Sequence, residues 1–189
     1  MRSIKSAKIA YDPISGDLNH PADKRRFCYF AKTIHLEYEV YNPSHQYDLI
    51  ILTESSDISY WRRLEKGPKL VYSLTDSYLA EKNNLKSNLR GIAKFTSSQH
   101  RYLELSFPGA LKKMCRRADA VICSTSEQKT TIAKYCRNTH ILFDAHFEVI
   151  KNKKEDYSFE KPFQLVWEGL PTNAYQLNQL TQILNKSDI

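Results

Sequence analysis

The chain has 189 residues, 41% of them hydrophobic, enough for one domain of ordinary size or one domain plus part of a second. Its net charge of +7 favours anionic partners such as phosphates, nucleic acid or an acidic membrane face, with a lysine-rich solvated surface as the plain alternative. No apolar run approaches the roughly 18 residues a membrane span needs, and no apolar segment follows the basic N-terminus as in a signal peptide. None of Cys28, Cys115, Cys123 and Cys136 has CxxC spacing, so no zinc knuckle or other metal site is expected. We expect reduced thiols in a cytoplasmic chain.

In chain order, residues 8–11 predict a first strand. The turn-rich stretch 12–20 follows, and its single glycine, Gly16, makes it neither a GxGxxG turn nor a phosphate loop. Pro21 opens a helix over 22–33 with Phe27, Phe30, Ala31 and Ile34 on its apolar side. Lys24, Arg25 and Arg26 crowd its first turn, against the helix dipole, which makes them candidates to meet an anion, with a plain solvated face as the alternative. Residues 37–41 form a second strand. Residues 48–53 are apolar enough for a third strand buried on both faces. It leaves into Glu54-Ser55-Ser56-Asp57, which caps a short helix that Gly67-Pro68 ends. Residues 69–74 form the fourth strand, leaving into Thr75-Asp76-Ser77-Tyr78. A carboxylate at such an exit, Glu54 or Asp76, suits a general base or a partner for a sugar hydroxyl, and suits a helix cap equally well.

From 79 to 117 the pattern is helical. Leu85, Leu89, Ile92 and Phe95 recur at spacings of four and three, Tyr102 and Leu105 continue the stripe, and we read it as core. Ser106 is expected to cap a new helix through Leu111 and Met114. Basic residues including Lys112, Lys113, Arg116 and Arg117 punctuate both stretches, giving a hairpin whose basic outer faces suit an anionic membrane surface or, equally, plain solvent. Residues 118–123 form a fifth strand. Ser124 and Glu127 then stand three apart, the spacing of a capping box for the next helix. Residues 140–143 form a sixth strand, ending in Asp144-Ala145-His146.

The charged stretch 151–162 reads as a linker. Residues 163–167 predict one more strand, and Asn173 caps a helix to about Leu184, with Gln176 at the matching position. One strand and one helix cannot bury a core of their own, so 163–189 either docks on the first domain or begins a truncated second lobe. Strands alternating with helices through residue 144 predict an α/β, doubly wound parallel sheet of Rossmann-like type over residues 1–150. Its strand-to-helix turns collect at the carboxyl edge, where such sheets bind ligands.

The ordered segments 47–53 (YDLIILT), 69–76 (KLVYSLTD), 118–128 (ADAVICSTSEQ) and 140–144 (HILFD) resemble the N-terminal half of GT-B glycosyltransferases of the family-4 type. Residues 165–173 (LVWEGLPTN) resemble the opening of that family's C-terminal lobe, with Glu168 and Gly169 at the turn. The resemblance implies an acceptor-side lobe that works with a missing or separate donor-binding lobe. Together they would move a sugar from a nucleotide sugar, the cofactor-like donor of the complete enzyme, to a saccharide or lipid-linked acceptor. On this reading Asp76 orients or deprotonates the acceptor hydroxyl, and His20, Glu54, Asp57, Ser124 and Glu127 line the acceptor side. Arg25, Arg26, Lys112, Lys113, Arg116 and Arg117 would face an anion or the inner face of a membrane. The chain departs from the family in its first loop, which lacks a glycine-rich turn. The competing reading is a small non-catalytic α/β protein that binds a partner, such as half of a split transferase. A nucleic-acid module would need rings interleaved with Lys and Arg on one face, whereas most Phe and Tyr here fall on core stripes.

Overall fold

A computed structural model describes residues 7–79, 85–145 and 176–185, with isolated positions 152, 155, 156, 158 and 174. The chain divides into two compact units, Met1–Val149 and Ile150–Ile189. The first holds one six-stranded sheet, paired in the order β2-β1-β3-β4-β5-β6: β1 (Ile9–Asp12), β2 (Glu39–Val40), β3 (Leu49–Leu52), β4 (Lys69–Ser73), β5 (Ala120–Cys123) and β6 (Thr139–Ile141). Every pair is parallel. The α/β, doubly wound expectation therefore holds, and each strand begins or ends within two residues of its expected place.

The helices of this unit are α1 (Tyr29–Thr33), α2 (Ile58–Trp61), α3 (Leu85–Thr96), α4 (Phe107–Arg117) and α5 (Ser126–Ile132). Alternation along the strands sorts the core into two. Ala10, Ile50, Leu52, Leu70, Tyr72, Val121 and Cys123 point to one face and pack with Ile58, Trp61, Leu111, Met114 and Ile132 of α2, α4 and α5. Cys123 is buried as a small apolar side chain, as expected, and burial lifts the Cys123 and Cys115 thiols to about 11 and about 12. Ile9, Tyr11 and Ile51 point to the other face and meet Phe27 and Ala31. Further along that face, Val71, Ala120 and Ile122 line an apolar trough of about 800 Å³.

The helix expected over 22–33 forms, but Asp23–Cys28 within it is wound as a π-helix before the α-helical Tyr29–Thr33. This segment buries Asp23, Arg26 and Phe27 together. Arg26, 3% exposed, is therefore a core residue and cannot be a surface cation.

The stripe read as core on α3 and the loop after it is a clear correction. Leu89, Phe95, Tyr102 and Leu105 are all exposed. Among the α3 residues whose burial is described the buried one is Gly91, whose Cα passes so close to the loop that an added Cβ would collide with the Glu104 carbonyl oxygen. Ser106 does cap α4, its hydroxyl accepting from Gly109 N–H at 3.2 Å. In the second unit the described helix is α6 (Gln176–Leu184), and the described linker positions 152, 155, 156 and 158 are exposed. The expected strand at 163–167, the cap at Asn173, Glu168, Gly169 and His146 lie outside the described residues. Among the described residues no helix is long and apolar enough to cross a membrane.

Candidate functional site

Parallel strands send all their exits to one edge, and the order here reverses direction between β1 and β3, which opens a crevice outside the carboxyl ends. Four exits bring carboxylates to that edge: Asp12 from β1, Glu54 from β3, Asp76 from β4 and Asp144 from β6. Glu54 is half-buried and accepts the N–H groups of Thr75 and Asp76, each at 3.3 Å, so the β3 exit holds the β4 exit. Burial raises the Glu54 carboxyl above its ordinary range, and the neighbouring Asp76 charge adds to it. Asp12 is raised too, first by burial and then by Asp23 and Asp57, against a lowering hydrogen bond from Ser56. Asp76 is exposed, and its carboxylate accepts from the Tyr78 hydroxyl at 3.2 Å.

The β4 exit is tied to the β5 exit in turn. Gln128 Nε2 donates to the Asp76 carbonyl at 2.9 Å, and Ser124 Oγ donates to the Thr75 carbonyl at 2.9 Å. Arg26 reaches across from the π-helix, donating to Ser124 Oγ and to the Leu74 carbonyl at 3.4 Å, with Asp144 3.6 Å away. Asp76, Tyr78, Glu127 and Gln128 line a small cavity of about 60 Å³. The edge is thus one hydrogen-bonded band from β3 to β5, with an exposed carboxylate over a recess.

Several expected residues have structural work. His20 accepts through Nδ1 from Ala22 N–H at 3.2 Å, a local bond just before the π-helix. Asp57 caps α2, accepting from Ser59 and Tyr60 N–H at 3.0 and 3.2 Å, and also holds Arg101 N–H at 2.8 Å. Ser124 is not the cap of α5. Thr125 is, accepting from Gln128 N–H at 3.2 Å, while Gln128 Oε1 takes Ser124 N–H at 2.6 Å. The reciprocal pattern lies one residue beyond the expected Ser124–Glu127 pair, which frees the Ser124 hydroxyl to bridge strands. Glu127 is exposed and accepts from Ser126 Oγ at 3.0 Å. Arg25 is half-buried, its carbonyl accepting Ala145 N–H at 2.8 Å. Lys112 and Arg116 lie over the Tyr135 ring, Lys113 is exposed, and Arg117 donates to the Leu64 carbonyl and pairs with Asp119, so it fastens α4 and does not face a partner.

The sequence reading missed Asp23 and His100. Asp23 is 0% exposed and collects the Tyr11 hydroxyl at 2.5 Å and the N–H groups of Ile14 and Ser15 at 3.0 Å, which moulds the loop after β1. An acid two residues after the helix-opening Pro21 was its only signal. His100 stacks on Phe107 beside Lys94, whose ammonium donates to the Glu54 carbonyl at 3.2 Å. Burial, then Lys94, pushes the imidazole below its ordinary range. Among the described residues neither of its ring nitrogens has a hydrogen-bond partner, nor have Arg26 Nε and Thr53 Oγ1. Comparison with protein-family models, curated proteins and solved structures finds no significant match for this chain.

Proposed function

We propose that the first unit is the acceptor-side lobe of a glycosyltransferase, working opposite a donor-binding lobe that holds a nucleotide sugar. The observation that supports it is the hydrogen-bonded band joining the exits of β3, β4 and β5, which presents the exposed Asp76 carboxylate above the recess lined by Glu127 and Gln128. A saccharide offers many hydroxyls, each both donor and acceptor, and this edge offers carboxylates, an amide and a hydroxyl in return. In the reaction the Asp76 carboxylate takes the proton of the acceptor hydroxyl. The hydroxyl oxygen bonds to the anomeric carbon of the donor sugar, whose bond to the nucleoside diphosphate breaks with the electron pair leaving on phosphate. Glu54 is a positioning residue that fixes the backbone carrying Asp76.

The test is a titration of the full chain with short oligosaccharides, followed through backbone amide signals. Shifts should gather at residues 54, 76, 124 and 127, and Asp76→Asn should weaken binding by about tenfold, the loss of one charge-assisted hydrogen bond. Supplied with nucleotide sugars, the chain alone should transfer no sugar. Shifts confined to other elements, or transfer by the isolated chain, would overturn the reading.

A further inference from the structure

The span from α3 to the end of α4 departs from ordinary surface chemistry in two independent ways. It carries eight basic residues, Lys86, Arg90, Lys94, Arg101, Lys112, Lys113, Arg116 and Arg117, against the single acid Glu104, a net +7 that equals the charge of the whole chain. The rest of the molecule is therefore neutral. The same span exposes Leu89, Phe95, Tyr102, Leu103 and Leu105, half of the exposed large hydrophobic side chains among the described residues.

The loop between the helices is built inside out. Its carboxylate is buried, with Glu104 6% exposed, while its leucines stand outside, Leu105 at 72% and Leu103 at 46%. Glu104 is held there by Arg62, at 3.0 and 2.6 Å, and by Arg63 at 2.7 Å. Gly91 brings α3 against the Glu104 carbonyl from behind. Arg63 also lies over the Tyr102 ring at 4.7 Å, and Arg101 over Tyr60 at 4.4 Å. The apolar tip is thus held outward on an ion-paired base, with cations and a tyrosine ring around it. This is the composition of a membrane interface, where leucines enter the acyl boundary while tyrosine and arginine stay at headgroup depth.

We propose that residues 89–105, with Lys112, Lys113 and Arg116 of α4, form a docking surface for an anionic lipid bilayer. Charge complementarity selects the occupant. A surplus of cations around exposed leucines matches a negative headgroup layer over hydrocarbon, whereas a polyphosphate chain would leave the leucines without use. The inference does not depend on the transferase reading.

The experiment is flotation of the full chain with vesicles of phosphatidylcholine and of phosphatidylcholine mixed with phosphatidylglycerol. The chain should float with the mixed vesicles only, and salt should weaken the association. Leu103→Ser with Leu105→Ser should lower partitioning by more than about tenfold, since each leucine loses its apolar transfer. Arg101→Glu with Lys113→Glu should abolish the preference for the anionic lipid. Leu105→Trp should show an emission shifted to the blue on mixed vesicles. Absence of flotation, flotation indifferent to the leucine pair, an unshifted tryptophan, or leucine-dependent pairing with a protein in place of vesicles would each overturn the proposal.

Discussion

Glu54 shows how an individual residue in this chain can serve its site at the expense of its fold. Its carboxyl is raised by burial and by Asp76, yet it is retained at the point where two strand exits meet. A carboxyl whose native pKa lies above its unfolded value binds more protons folded than unfolded. Stability therefore falls as pH rises from the unfolded value through the native one, and below the unfolded value the group costs nothing. Glu54→Gln keeps an oxygen for the Thr75 and Asp76 amides and removes the charge. It should stabilise the protein in urea at neutral pH, and the gain should shrink to nothing at a pH below the ordinary glutamate range. A gain that persists unchanged in acid would show that the carboxylate is not the source. The sequence placed Glu54 and Asp76 at the correct edge, because a strand exit is legible from an apolar run followed by polar residues. It could not tell that Asp57 also holds Arg101 N–H from 44 residues away while Asp76 stays exposed, since that is decided by contacts between segments far apart in the chain.

Elements were legible where their pattern depends on one face only. β3 and β5 announced themselves because every residue in them is apolar, whereas β2 and β6 carry polar residues. The hairpin of α3 and α4 was legible as helix and not as packing. A repeat of Leu, Ile and Phe at three and four has the same spacing whether it faces a core or a partner. What assigns the inner face of α3 is Gly91, a residue whose role is to be absent as a side chain. Gly91→Ala should gain about 1 kcal/mol of helix propensity, but its methyl would meet backbone that cannot rotate away. The overpacking should win, for a net loss of about 1–2 kcal/mol measured by denaturant unfolding. A variant more stable than the parent would mean that α3 and the Glu104 loop do not touch.

At the scale of the molecule, the strand order decides which residues the fold depends on most. The order follows from the chain: β1 to β2 moves outward, then the chain returns to the far side of β1 and continues from β3 to β6, which puts helices on both faces and the exits on one edge. Alternation in the sequence supports such a sheet without naming its order, and neither the π-winding at Asp23–Cys28 nor the trough beside Ile122 has a signature in local composition. The order places β3 between β1 and β4, with Leu52 at 0% exposure in register with Asp12 on one side and Tyr72 on the other. β2 is an edge, and its Val40 is 40% exposed. Leu52→Ala leaves a cavity that parallel neighbours on both sides prevent from collapsing, so it should cost about 3 kcal/mol. Val40→Ala removes side chain that water already reaches and should stay within about 0.5 kcal/mol of the parent. Both are measured as shifts in the urea midpoint at unchanged slope. Equal shifts for the two variants would mean that β3 is no more central than β2, and the convergence of exits on which the carboxylate edge depends would fail with it.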